Sequence, residues 1–311
     1  MRKAALLYNP LSGNRHSRRV ADVNAAAAAL QDAGIEIVVT PTHSAAGTVA
    51  QVKEAISMGC DTIFACGGDG TAHDILQGLV GTDIALGIIP LGTANALAHD
   101  LGLPLHPVRA ARAALKAKSR RIAVGQVRYL DLSGHPGSRY FTVTLGIGSD
   151  AHLFKELDPV LKVRFGMAAY YAKATWLWLT LRMRTFAVEF PSQDGGVQKT
   201  DISDLLAVRI RHFGGVLRNL APGASLDRDD LRLVLFQTRS RAKYLAYVLR
   251  GFLGADWKVA GIELAHSASV ICRSSPDAPP VFVEADGEIL GTLPVEASMI
   301  PDALTILAPQ R

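Results

Sequence analysis

Residues 62–79 read TIFACGGDGTAHDILQGL. Thr62–Ala65 is a β-branched and apolar run, which predicts a strand buried on both faces. Ala72–Leu79 reads as a helix. Between them stands Gly67-Gly68-Asp69-Gly70-Thr71, a turn almost without side chains. Glycine lets a backbone approach a ligand closely, and a helix N-terminus offers free N–H groups and positive potential, so such a join suits a phosphate. A buried strand feeding a helix through glycines is also the repeating unit of a parallel α/β sheet.

Working outward, the same alternation continues. Ala4–Tyr8, Ile35–Val39, Thr62–Ala65 and Ile84–Ile89 predict four strands. A helix with Val20, Val23, Ala27 and Leu30 on one face follows the first, with Ser17 at its start and Gly34 at its end. A second helix, capped by Ser44 and closed by Gly59, carries Val49, Val52 and Ile56. Ala94–Leu101 and Pro107–Lys118 complete the helical set. The order βαβαβαβα predicts a parallel sheet covered by helices, which binds ligands at the carboxyl ends of its strands. Near Arg121 the pattern changes. Ile122–Tyr129, Tyr140–Leu145, Phe186–Phe190, Leu205–Arg211, Leu231–Phe236, Val270–Arg273 and Val281–Val283 predict a mostly antiparallel β domain, interrupted by one helix at about Arg164–Leu181. The expected fold is thus an α/β nucleotide domain over residues 1–125 and an antiparallel β-sandwich over 126–301. Ala303–Leu307 is free to return to either, so 302–311 can complete the first domain.

Three strand-to-helix joins fall on one edge of the predicted sheet: Asn9-Pro10-Leu11-Ser12-Gly13-Asn14, the Gly67–Thr71 turn, and Pro90-Leu91-Gly92-Thr93-Ala94-Asn95. One glycine turn is weak evidence, but three together favour a nucleotide site. The Gly-x-x-x-x-Gly-Lys-Ser/Thr phosphate loop is missing from the sequence. Gly146-Ile147-Gly148-Ser149-Asp150-Ala151 imitates a dinucleotide fingerprint without the surrounding βαβ unit, and reads as a turn at the domain boundary with Asp150 facing the cleft.

Composition bounds the remainder. At 311 residues the chain has length for about two domains. With 49% apolar and 20% charged residues it is not a disordered chain. Charges interrupt every apolar stretch before the roughly 18 residues of a membrane span. The apolar run Ala4–Tyr8 is too short for a signal peptide, so a cytoplasmic location is expected. Cys60, Cys66 and Cys272 lack metal-ligand spacing. The net charge of +5 is spread over both halves, with 12 basic against 9 acidic residues up to 125. That distribution suits phosphate and an anionic membrane surface and argues against nucleic acid.

At these motifs the sequence resembles the diacylglycerol kinase catalytic domain family, its bacterial soluble lipid kinases in particular, with sphingosine kinases as relatives. The resemblance rests on Asn9-Pro10-x-Ser12-Gly13, on Gly67-Gly68-Asp69-Gly70-Thr71 with Asp74, and on Pro90-x-Gly92-Thr93-x-Asn95. It continues through Gly146-x-Gly148-x-Asp150, Gly166-x-x-x-Tyr170, Ala221-Pro222-x-Ala224 and Asp286-Gly287-Glu288. It implies an active site in the cleft between a nucleotide domain and a β-sandwich. Asn9, Pro10, Ser12, Gly13, Thr40, Gly67–His73, Gly92, Thr93 and Asn95 would then line ATP, brought in with Mg²⁺. Glu288 would act as base toward a lipid hydroxyl, Asp69 would orient the reactants, and Asp150 and Asp286 would face substrate. Residue chemistry alone leaves simpler readings open: Asp-Gly-Glu as a hairpin turn and Asp69 as a helix cap.

The sequence also departs from the family. Ala96 replaces an acid after Gly-Thr, and Ala123 falls where another acid is common. Where many members bind a structural Mg²⁺, Arg228 interrupts the acidic run, which leaves Ser225, Asp227, Asp229 and Asp230 as its ligands. The expectation is an ATP-dependent lipid kinase, acting on diacylglycerol or a similar lipid while attached peripherally to a membrane. The alternatives are a non-catalytic ATP- or lipid-binding regulator and an NAD kinase-like or sphingoid-base kinase. Trp176, beside Arg182 and Arg184, is the candidate membrane contact, against packing on the β domain. The phosphate donor stays open, and so does the oligomeric state, a homodimer included.

Overall fold

The structure, a computed structural model, describes residues 1–10, 18–156, 175–176, 178–180, 182–192, 195–213, 220–275 and 277–309. Ser12, Gly13, Arg15, Ser17 and the Gly166–Tyr170 motif lie outside them, as does the side chain of Asp150.

The first lobe contains β1 (Lys3–Tyr8), α1 (Arg19–Gln31), β2 (Glu36–Pro41), α2 (Ala45–Ser57), β3 (Thr62–Gly67), α3 (Asp69–Leu79), β4 (Ala85–Pro90), α4 (Ala96–Asp100) and α5 (Pro107–Leu115). Strands β2, β1, β3 and β4 are parallel and adjacent in that order. β3 and β4 are buried at every position, as continuous apolar runs covered on both faces must be. Ser44 caps α2 by accepting the Gly47 N–H at 3.1 Å. Two expected faces shift. Val20 on α1 is exposed while Ala26 joins Val23, Ala27 and Leu30 inside, and α2 buries Thr48 and Ala55 with Val52. Arg19, the first residue of α1, is buried.

The second lobe is antiparallel, as expected. It holds β5 (Lys118–Asp131), β6 (Pro136–Phe141), β7 (Thr144–Gly148), α6 (Ser149–Glu156), β8 (Phe186–Pro191), β9 (Val197–Ile202), β10 (Asp204–Val208), β11 (Leu231–Phe236) and α7 (Arg241–Leu253). β12 (Ile262–Ser267), β13 (Ser269–Arg273), β14 (Phe282–Ala285) and β15 (Glu288–Ala308) complete it. The run Tyr140–Leu145 divides into β6 and β7, because the N–H groups of Thr142, Val143 and Thr144 leave the ladder to bond the Asp286 carboxylate. The Gly146–Ala151 motif is not a bare turn. Asp204 Oδ1 accepts the Ser149 N–H at 2.6 Å and starts α6 there. Gly148, at φ +121°, is needed because a Cβ would stand 2.4 Å from that same oxygen.

β15 joins the lobes. Its 21 residues pair antiparallel with β14, β13 and β5, and then Thr305 and Ile306 pair parallel with Ala85 and Leu86 of β4. The last strand therefore belongs to both lobes, within one connected sheet ordered β12-β11-β10-β7-β14-β15-β4-β3-β1-β2. Among the described residues no helix is long and apolar enough to cross a membrane.

Candidate active site

The carboxyl ends of the parallel strands carry the predicted loops. Asn9 and Pro10 follow β1, Thr40 ends β2 opposite Leu7, and the glycine turn follows β3. Gly67 and Pro90 pair across β3 and β4, and the Leu91 N–H bonds the Gly67 carbonyl at 2.8 Å, so the second and third loops start side by side. They then pack glycine on glycine. A Cβ on Gly92 would lie 2.4 Å from Gly68 Cα, and a Cβ on Gly67 would lie 2.2 Å from the Thr71 hydroxyl. The N-terminus of α3 carries no side-chain cap, and the Thr71 N–H turns back to the Gly68 carbonyl at 3.1 Å; a helix start of this kind offers positive potential to an anion.

Asn95 takes a loop-shaping position instead of projecting as a ligand. It adopts a left-handed φ of 50°, its Oδ1 accepts the Gly92 N–H at 2.9 Å, and its Nδ2 donates to the Gly92 carbonyl at 3.0 Å. Thr93, beside it, is exposed. Asp69 is a cap, though of a different helix from the one expected. It begins α3, and its Oδ1 accepts the Leu97 N–H at 3.3 Å across the loop pair, at the start of α4. Burial pushes the Asp69 carboxyl above its ordinary value, opposed by the N–H groups of Ala96 and Leu97.

Asp286-Gly287-Glu288 is a hairpin turn. Asp286 and Gly287 have φ of 51° and 87° and turn β14 into β15, the double positive φ of a two-residue hairpin. Asp286 stands on the cavity wall, with its oxygens committed to the protein. It is buried, and its oxygens accept Thr142, Val143 and Thr144 N–H at 2.9–3.0 Å and meet His73 Nδ1 at 3.3 Å. That clamp aims the next side chain. Glu288 Oε1 lies 2.7 Å from where a Gly70 Cβ would stand, so the carboxylate rests on the first turn of α3. Its side chain reaches solvent at the hairpin tip, yet burial of the carboxylate against α3 holds its pKa above the ordinary value, helped by Asp74 and opposed by His73 and Arg139.

His73 is likewise not a nucleotide contact. It is buried within α3 and joins that helix to the Asp286 hairpin. Gln77, one turn on, donates to the Tyr140 carbonyl and accepts the Tyr140 N–H, both at 2.9 Å. Asp100, ending α4, accepts the N–H groups of Arg211 and His212 at 2.7 and 3.0 Å. The loops and the hairpin are thus held in register by side chains that bridge the two lobes.

A cavity of about 470 Å³ opens from this junction. Asp69, Ala96, Glu284, Asp286 and Gly287 line it together with Leu206, Phe213, Phe236 and Tyr247. Sequence reasoning missed two polar groups on its wall. Asp204 is buried and receives the Tyr244 hydroxyl at 2.5 Å, and Glu284 is buried beside the hairpin, its Oε2 accepting the Gly287 N–H at 2.8 Å. The apolar flanks of each acid resemble ordinary core strand, so only their isolation within those runs marks them.

The expected structural Mg²⁺ does not fit its residues. Asp227 accepts Arg120 at one oxygen and Arg211 at the other, the latter at 2.7 Å. Asp230 is held at both oxygens by Arg228, and Ser225 Oγ accepts Arg211 at 2.6 Å. Guanidinium groups hold the oxygens a cation would need. Ala123, the other departure, presents its carbonyl to the fully buried Arg209 at 2.9 Å. Among the described residues no group of His, Cys, Asp or Glu forms a metal cluster.

A parallel nucleotide-type sheet joined edge to edge with an antiparallel lobe defines the class of architecture. Matching supports it. A solved structure of a putative diacylglycerol kinase from Bacillus anthracis superposes with TM-score 0.73 at 21% identity, over 98% of this chain and 95% of that one. A yeast NADH kinase structure follows at TM-score 0.51 and 11% identity, over 100% of this chain and 84% of its own. Family models match along the chain: the diacylglycerol kinase catalytic domain over residues 3–127, and the YegS C-terminal NAD kinase beta sandwich-like domain over 143–308. A diacylglycerol kinase of Bacillus subtilis is 30% identical over 300 residues, covering 95% of this chain and 93% of that protein. One of Mycobacterium tuberculosis is 29% identical over 309 residues, covering 99% and 96%. The chain belongs to the diacylglycerol kinase catalytic domain family, a family of kinases.

Proposed function

We propose that this protein is an ATP-dependent lipid kinase that transfers the γ-phosphoryl group of ATP to a hydroxyl of diacylglycerol or a similar acylated alcohol. One observation carries the reading. The cavity reaches the place where the glycine loops, α3 and the Glu288 hairpin converge. A greasy substrate with one hydroxyl fits a cavity whose wall is mostly apolar and carries a few carboxylates. The family relatives named diacylglycerol kinase support the same acceptor class.

Phosphoryl transfer needs positioning and charge neutralisation more than covalent help. In this reading Asn9, Thr40, the Gly67–Thr71 turn and Thr93 hold ATP at the sheet edge. Mg²⁺ arrives as part of that co-substrate and neutralises its phosphates. The lipid oxygen attacks the γ-phosphorus, its bond to the ADP oxygen breaks, and Glu288 takes the hydroxyl proton. A raised carboxyl pKa suits a base that must accept a proton and later give it up. Asp69 fixes the relative position of the glycine loops while it faces the cavity.

The test is transfer of label from γ-labelled ATP to mixed lipid vesicles, resolved by chromatography. Label is expected on a glycerolipid, and Glu288→Gln is expected to bind ATP and lose transfer. Normal turnover in that variant sinks the base assignment. ATP binding with no labelled lipid supports the non-catalytic alternative, which Ala96 favours by leaving only its backbone N–H near Asp69.

A further inference from the structure

α7 is apolar on both sides. Its inner face packs Tyr244 and Tyr247 against Phe236, with ring centroids 4.3 and 5.5 Å away. Its outer face carries Leu245, Val248, Leu249, Phe252 and Leu253, at the spacing i, i+3, i+4, i+7, i+8 of a single stripe. All five are exposed, Leu245 and Leu253 by 59% and Phe252 by 56%. Trp257 follows just past the helix and is exposed as well. On the neighbouring segment Trp176 and Leu179 are 63% and 53% exposed, and Arg241 Nε ties α7 to that segment through the Trp178 carbonyl at 3.1 Å. A surface helix hydrophobic all round is anomalous in water, and a contiguous apolar patch marks an interaction site.

Two observations identify the occupant. The rim is basic: between residues 239 and 258 Arg239, Arg241, Lys243 and Lys258 reach the surface, against Asp256 as the only acid, while Arg250 is buried over Tyr247. Arg239 and Lys258 are exposed, and Arg182 adds to them from the Trp176 side. A second copy docked through this face would set basic rim against basic rim, whereas an anionic bilayer complements it. The patch is also continuous with the cavity, because Val248, exposed outside, lines the wall inside together with the half-buried Trp178.

We infer that α7 is the membrane-docking element. Leu245, Leu249, Phe252 and Leu253 enter the acyl boundary of an anionic bilayer, Trp176 and Trp257 sit at headgroup level, and Arg239, Lys243 and Lys258 meet lipid phosphates. The mouth of the cavity then opens directly into the leaflet, so an acyl chain passes inside without crossing water. The inference deepens the lipid-kinase reading and rests on it for what enters the cavity, though not for the docking itself.

Vesicle flotation tests it, with the full chain and phosphatidylcholine vesicles with and without phosphatidylglycerol. Wild type is expected to float with the anionic vesicles, less so at high salt, with a blue shift in tryptophan emission. Leu249→Ser/Phe252→Ser/Leu253→Ser should weaken binding about tenfold or more. It should keep the wild-type melting temperature and phosphorylate a short-chain, water-dispersed diacylglycerol normally. Arg239→Glu/Lys258→Glu, which leaves the apolar stripe intact, should lose the phosphatidylglycerol dependence. Wild-type flotation by both variants overturns the proposal, and so does a wild type that ignores anionic vesicles. A dimer in sedimentation equilibrium that only the serine variant dissociates, with flotation unchanged, assigns the patch to a second copy and overturns it equally. If vesicle binding follows α7 while no lipid is phosphorylated, docking stands and the kinase reading fails.

Discussion

Gly70→Ala separates the catalytic geometry from the fold. Gly70 lies in the first turn of α3 without a positive φ, so its backbone accepts alanine. Alanine is the better helix former by up to about 1 kcal/mol. The new Cβ meets Glu288 Oε1 at 2.7 Å, whereas ordinary contact begins near 3.4 Å. The carboxylate must therefore retreat by about 0.7 Å, and it is the far end of a flexible side chain, so the retreat costs little stability. For a base that must meet a hydroxyl proton, a displacement of that order costs about 10- to 100-fold in rate. The expected variant is as stable as wild type or more so, by up to about 2–4 °C in Tm for a chain of this size, yet its kcat is down one to two decades. Differential scanning fluorimetry reads the first quantity, and steady-state kinetics with labelled ATP reads the second. KM for ATP separates the causes, because a rise in KM at constant kcat means the methyl obstructs the nucleotide. That result, or unchanged kcat in a folded variant, refutes the placing of Glu288 over α3 as the reacting base.

The remaining predictions concern the supports of the site. Gly92→Ala pushes a methyl into the Gly68 backbone at 2.4 Å; it should cost about 1–3 kcal/mol in urea denaturation and weaken ATP binding by calorimetry. Asp286→Asn loses one of the two oxygens that receive three backbone N–H groups; a loss of about 1–3 kcal/mol is expected, with kcat falling as the hairpin loosens. Burial raises both Asp69 and Glu288 above their ordinary values of 3.8 and 4.5. The acid limb of kcat/KM should therefore lie above 4.5. The folded state holds these protons more tightly than the unfolded chain, so activity falls through that window while the contribution of these groups to stability rises. An acid limb at or below 4.5, or coincident loss of ellipticity, contradicts this. Because arginines occupy Asp227 and Asp230, chelator should leave the Tm of the nucleotide-free protein unchanged, and a drop would reveal a structural cation.

The parallel half of the fold was readable because β3 and β4 are buried on both faces and end in glycines, so strand, turn and helix announce themselves within residues 62–79. β9 and β12 were not, since their half-buried positions resemble loop. α7 did carry a helical signal, the spacing of Leu245, Val248, Leu249, Phe252 and Leu253 with Gly254 at its end, and was passed over among the β-runs on either side; Ser240 ahead of it makes no side-chain cap. Within the site Asp69, Asp286 and Glu288 were visible and Asp204 and Glu284 were not, and the division of labour among the visible acids was hidden. Asp286 and Glu288 are two residues apart in the same motif, and only the positive φ values of the turn decide that one is clamped inside and the other presented to α3. Asn95 and His73 show the same limit. Motif membership marked them, while the hydrogen bonds that make them supports depend on Gly92 and on a residue 213 positions away.

β15 has a mechanical meaning beyond its pairing. A kinase whose lobes are joined by a flexible tether can swing one over the other. Here Glu288 stands at the head of a strand whose tail is stitched into the nucleotide lobe. Any closure of the lobes would have to act as a twist along that strand, absorbed where its register slips at Thr292/Glu296 and Ile300/Leu304. Residues 288–308 are thus a single shaft: a shift at the edge of the parallel sheet would be carried along one strand to Glu288.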